Sequence, residues 1–108
     1  MTEMDKAKKD RLAAAGWRAG GAAEFLELTA EEAALVEMRL ALADHLRDVR
    51  IQHGLTQSQV ARKLGSSQSR VAKMEAADAT VSLDLLIKSL LALGASRDEV
   101  GAVIARAA

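Results

Sequence analysis

The chain has no cysteine, no proline and no tyrosine, and Trp17 and Phe25 are its only aromatic residues. Without cysteine there is neither a disulfide framework nor a thiolate metal site. The two histidines, His45 and His53, stand alone at a spacing that suits no metal, and each reads as a solvated side chain. A sheet protein would draw on aromatic residues that are almost missing here. Alanine is instead the commonest residue, followed by leucine, and both favour helix. No run approaches the ~18 apolar residues of a membrane span, and no secretory signal is read at the start. A cytoplasmic, all-α protein without a membrane partner is expected. A Ser/His/Asp set can be drawn from Asp44, His45 and a serine, but no nucleophile elbow or glycine-rich phosphate loop accompanies it. Neither an enzyme nor a cofactor is expected.

What remains is one domain's worth of chain, 108 residues of which 50% are hydrophobic. Fifteen basic residues balance fifteen acidic ones, so the net charge is zero. The distribution is less even. Met1–Ala34 holds five basic and seven acidic residues, a net of −2. Between Asp48 and Glu75 there is no acid at all, while Arg50, Arg62, Lys63, Arg70 and Lys73 give five positive charges. Chance clustering in a balanced chain is one reading of that window; an anionic partner is the other.

Helix punctuation divides the rest. The three glycines of Gly16–Gly21 break any helix there, so Met1–Leu28 reads as an N-terminal extension, frayed or in short turns. Thr29-Ala30-Glu31-Glu32 is a capping box that opens a long helix to about Gln52, with Leu35, Met38, Leu42, Leu46 and Val49 as its apolar face. Gly54 ends it. Thr56-Gln57-Ser58-Gln59 caps a short helix over 57–64, stopped by Gly65. Ser67 caps a third helix from Gln68 to about Ala76. Ser82 caps a fourth over 83–93, apolar nearly all round and therefore central or covered by a partner. Ser96-Arg97-Asp98-Glu99 is a third capping box, and Val100, Val103 and Ile104 follow on the last helix. Met38 and Met74 read as core.

Residues 57–76 form two short helices about a glycine turn, the pattern of a helix-turn-helix. Ala61 is small enough for the helices to cross closely. Gly65 supplies the left-handed turn, and Val60, Leu64, Val71 and Met74 the apolar contacts. That leaves Gln68, Ser69, Arg70 and Lys73 on an outer polar face free of acid until Glu75. Such a helix fits a DNA major groove, which is about 12 Å wide. The competing reading is an ordinary solvated helix face.

The run from Gln57 to Glu75 resembles the Xre family of phage-repressor-type regulators: Leu-Thr-Gln at 55–57, Ala61, Gly65, then Ser67-Gln68, Val71 and Met74-Glu75. The resemblance spans about 35–96. It implies a five-helix phage-repressor-like domain over 29–108. Gly16-Trp17, Phe25-Leu26 and 82–86 are similar, more narrowly, to HigA-type antitoxins. One departure is the loop after Glu75, where many relatives have glycine and proline and this chain has Ala76-Ala77-Asp78-Ala79-Thr80.

The resemblance implies double-stranded operator DNA as partner, a homodimer, and a location on the nucleoid of a bacterial cytoplasm. Gln57 would touch phosphate at its helix N-terminus. Ser67, Gln68, Ser69 and Arg70 open the recognition helix. Gln suits the N6/N7 edge of adenine and Arg the O6/N7 edge of guanine. Lys73 would reach a base or a phosphate, and Arg62 and Lys63 would add salt-dependent affinity. Arg50 and Glu75 would form an ion pair between helices. The end of the fourth helix and the last helix are the expected dimer surface, unless their apolar residues only close the monomer core. Antitoxins of this kind bind small, basic ribonucleases of the RelE/HigB type, for which an acidic segment anchored by Trp17 and Phe25 is a suitable partner. Packing of that segment over the first long helix is the competing explanation.

Overall fold

The computed structural model describes residues 28–107. Those residues form five helices and no strand: α1 Ala30–Gln52, α2 Gln57–Leu64, α3 Gln68–Glu75, α4 Leu83–Ala92 and α5 Arg97–Arg106. The expectations for Trp17, Phe25 and Gly16–Gly21 lie outside them.

Each helix starts at a serine or threonine. Thr29 accepts the Glu32 N–H at 3.1 Å while the Glu32 carboxylate takes the Thr29 N–H at 2.8 Å. Thr56 and Gln59 do the same at 3.1 and 2.8 Å. The third expected box is only half formed. Ser96 Oγ accepts the Glu99 N–H at 3.0 Å, but the Glu99 carboxylate turns away to His45 Nε2 at 2.5 Å. His45 is therefore not a solvated histidine. It is partly buried and ties α1 to α5, an outcome that residues 54 apart in sequence gave no means to foresee.

The helix ends share one device. Leu55, Ser66, Asp78 and Ala95 each send their N–H back to the carbonyl five residues earlier, which satisfies acceptors the helix itself leaves open. This turn needs a left-handed residue. Gly54, Gly65 and Gly94 fill it in three cases, and Ala77, at φ +55°, in the fourth. The loop after α3 thus closes without a glycine. Beyond it, the Asp78 carboxylate accepts from the Thr80 hydroxyl at 2.6 Å and the Thr80 N–H at 2.8 Å. These two bonds, the hydroxyl's first, hold the Asp78 pKa below the ordinary carboxylate value. The turn's contribution is present above that ordinary value and is lost as pH falls through the lowered one.

Two substitutions separate backbone strain from packing. A Cβ on Gly65 would meet nothing within 4 Å, so Gly65→Ala is expected to cost only the left-handed penalty of about 1–2 kcal/mol. Ala77→Gly relieves a similar penalty but removes a methyl that is 1% exposed, worth about 0.8 kcal/mol, and loosens the unfolded chain by ~0.4–1 kcal/mol. Its net effect should be within about 1 kcal/mol of zero. Urea denaturation checks both: the midpoint falls for Gly65→Ala and scarcely moves for Ala77→Gly.

The core runs through all five helices. Leu42, Leu46, Val60, Val71, Met74, Leu86 and Leu90 are fully buried. α1 carries a broader buried surface than one stepped stripe, because α3, α4 and α5 all pack on it. Val36, Leu40 and Ala43 are buried alongside Leu42, Leu46 and Val49. Met38 is only half-buried and Leu35 is 47% exposed, which corrects the expected face at its first turns. A 23-residue helix is about 34 Å long, more than twice the length of α4 or α5, so its first turns outrun their cover among the described residues. In α4, Leu86 and Leu90 enter the core, Leu83, Leu85 and Ile87 lie at its edge, and Leu91 stays 41% exposed.

Candidate nucleic-acid interface

α2 and α3 cross about the Gly65 turn, with Ala61 4% exposed at the crossing. Val71 and Met74 turn α3 inward. Gln68, Ser69, Arg70 and Lys73 on the same helix are all exposed, as is Ser67 at the helix start. Ser67 Oγ caps α3 through the Arg70 N–H at 3.2 Å and lies 3.3 Å from Ser69 Oγ. The outer face of α3 therefore offers amide, hydroxyl and guanidinium groups and no carboxylate.

Behind that face, one carboxylate gathers three helices. Arg50, near the end of α1, meets Glu75, the last residue of α3, through two parallel bonds: Nε to Oε2 at 2.6 Å and Nη2 to Oε1 at 3.0 Å. The two side chains are only 16% and 6% exposed. Arg50 Nη1 also donates to the Leu55 carbonyl at 3.0 Å, which fixes the link between α1 and α2. The hydrogen-bonded Glu75 carboxylate raises the Arg50 pKa further above its already high ordinary value. The guanidinium is thus charged throughout the usable pH range.

Gln57, at the start of α2, completes the set. Its Nε2 donates to Glu75 Oε1 at 3.2 Å, and its Oε1 accepts from Gln68 Nε2 at 2.7 Å. A phosphate contact from the Gln57 side chain thus falls to its one remaining N–H. The gain is at Gln68, whose amide is held at the start of α3 while its Oε1 and second N–H make no bond within the described residues. Those two groups are the pair that matches the N6 and N7 edge of adenine. The sequence places Gln57 and Gln68 on either side of the turn, but a side-chain bond between them depends on how closely the two helix starts approach.

Residues 46–100 match the family model described as Helix-turn-helix (HTH_3), of the Xre/cI type. The chain belongs to this helix-turn-helix family. The match covers the end of α1, all of α2, α3 and α4, and the first residues of α5. The family is one of DNA-binding regulatory domains rather than enzymes. No curated protein and no solved structure matches the chain.

Within the family frame, α3 is the second helix of the motif, the one placed in the major groove. Gln57, Ser67, Gln68, Ser69, Arg70 and Lys73 cluster at or near its exposed side. Arg62 and Lys63 are exposed on α2, in the last turn before Gly65. Lys63 lines a groove shared with Met74 and α4, behind the outer face of α3. Among the described residues, no helix is long and apolar enough to cross a membrane, and no group of three or more His, Asp or Glu could hold a metal ion.

Proposed function

We propose that this protein is a sequence-specific transcriptional repressor that reads operator DNA with Gln68, Ser69, Arg70 and Lys73. The acid-free outer face of α3, with Gln68 already held by Gln57, carries the reading. One recognition helix touches only a few base pairs, so useful specificity calls for two copies on half-sites about 34 Å apart. The surface for that homodimer is the end of α4 and the turn into α5, where Leu91 is exposed. Val100 and Val103 belong to the monomer core, so they add nothing to it.

The repressor reading extends to an antitoxin that autorepresses its own operon on a bacterial nucleoid, with the N-terminal extension, through Trp17 and Phe25, engaging a basic ribonuclease toxin. Zero net charge favours a second reading, in which the fold serves protein interaction with little DNA binding of its own. Gel-shift assays on the protein's own promoter and on scrambled DNA, at two salt concentrations, decide between them. A repressor shifts the promoter at both salts and scrambled DNA only at low salt. An interaction module shifts neither.

A further inference from the structure

Between α2 and α4 lies a groove of about 220 Å³ that DNA reading does not use. Its apolar lining comes from Leu64, Met74, Leu85 and Ala92, with Lys63 on the α2 side and Lys88 on the α4 side. Both lysines are exposed, and neither has an ion-pair partner among the described residues. Leu64 and Leu85 are only partly buried, so the lining is reachable from solvent. We infer that this groove is a docking site for an acidic amphipathic helix of a partner protein, which seats one or two apolar side chains between Lys63 and Lys88 while its carboxylates meet the two ammonium groups.

Three observations favour that occupant. The groove is smaller than the ~300–1,000 Å³ of small-molecule pockets, so it suits side chains of a segment rather than a whole ligand. Two unneutralised cations on opposite walls of an apolar lining call for a partner with carboxylates flanking an apolar anchor, the pattern of helix-in-groove recognition. A nucleic-acid backbone would meet the lysines but leave the apolar lining unused. The groove also draws on Met74, which faces inward from α3, and its lining includes none of Gln68, Ser69, Arg70 and Lys73.

The test uses the full chain with labelled methyl groups and a set of synthetic 12-residue helical peptides. Each carries Leu at two positions one turn apart, flanked by Glu in varied register, and each has a Gln-for-Glu control. At least one Glu peptide is expected to shift the Leu64, Leu85 and Met74 methyl signals, with its control binding about tenfold or more weakly. The exposed-site variant Lys63→Glu/Lys88→Glu, with an unchanged circular dichroism spectrum, should lose that binding. Silence of the whole set at millimolar concentration overturns the proposal, as does undiminished binding by the double variant. Shifts of the same signals by duplex DNA, or by raising protein concentration alone, assign the groove to nucleic acid or to a second copy and overturn it equally.

Discussion

Replacing Glu75 by alanine should lower stability by about 3 kcal/mol, well beyond the ~0–1 kcal/mol of a surface ion pair. The reason is the charge left behind. Arg50 cannot deprotonate, its side chain is 16% exposed, and both of its bonds to a carboxylate vanish at once. Gln57 loses an acceptor in the same step. A domain of this size has about 5–15 kcal/mol in hand, so the variant should still fold, with a melting temperature lower by roughly 12–24 °C. Arg50→Ala leaves the 6% exposed Glu75 without its guanidinium and should cost a similar amount. The double variant should cost less than the sum of the two, because no stranded charge remains. Thermal unfolding of the three proteins measures this directly. Additive losses would mean that Arg50 and Glu75 do not act as a pair.

The second large effect concerns reading against positioning. Arg70→Ala should cost about 1–3 kcal/mol on the preferred site and relax the preference at one base pair. Arg62→Ala should weaken all sequences alike and lower the salt slope by at most about one. The contrast rests on location: Arg70 lies in the first turn of α3, whereas Arg62 is on the last turn of α2. Binding titrations on specific and random duplexes, each at several salt concentrations, separate the two. Equal losses on both duplexes for both variants would remove the assignment of Arg70 as a base reader.

The parts of this molecule that were legible in its sequence are those governed by local chemistry. Thr29, Thr56, Ser67, Ser82 and Ser96 start helices because a short hydroxyl reaches an N–H three residues on, whatever the rest of the chain does. Gly54, Gly65 and Gly94 end them because the left-handed turn costs glycine nothing. The apolar contacts of Val60, Val71 and Met74 follow from helical spacing within a short motif. What was not legible depends on how distant helices lie against one another. Leu35 has the spacing of a core residue, yet among the described residues α1 extends beyond the helices that would cover it. Glu99 has the position of a capping-box acid, but His45 lies close enough to take its carboxylate. Gln57 looks like an exposed residue at a helix start, and only the crossing of α2 and α3 brings it between Glu75 and Gln68. Ala77 shows that the turn after α3 can form without glycine, at an energetic cost that alanine tolerates where its methyl is buried.

That the outer face of α3 reads DNA is tested most directly by amide and side-chain NMR signals followed during titration with promoter duplex. The largest shifts are expected on Gln57 and on 67–73, including the Gln68 side-chain amide and the Arg70 guanidinium, while Leu91 and the Lys88 side of α4 stay comparatively quiet on a single half-site. Saturating binding whose shifts spare residues 67–73, or no binding at low salt, would contradict it.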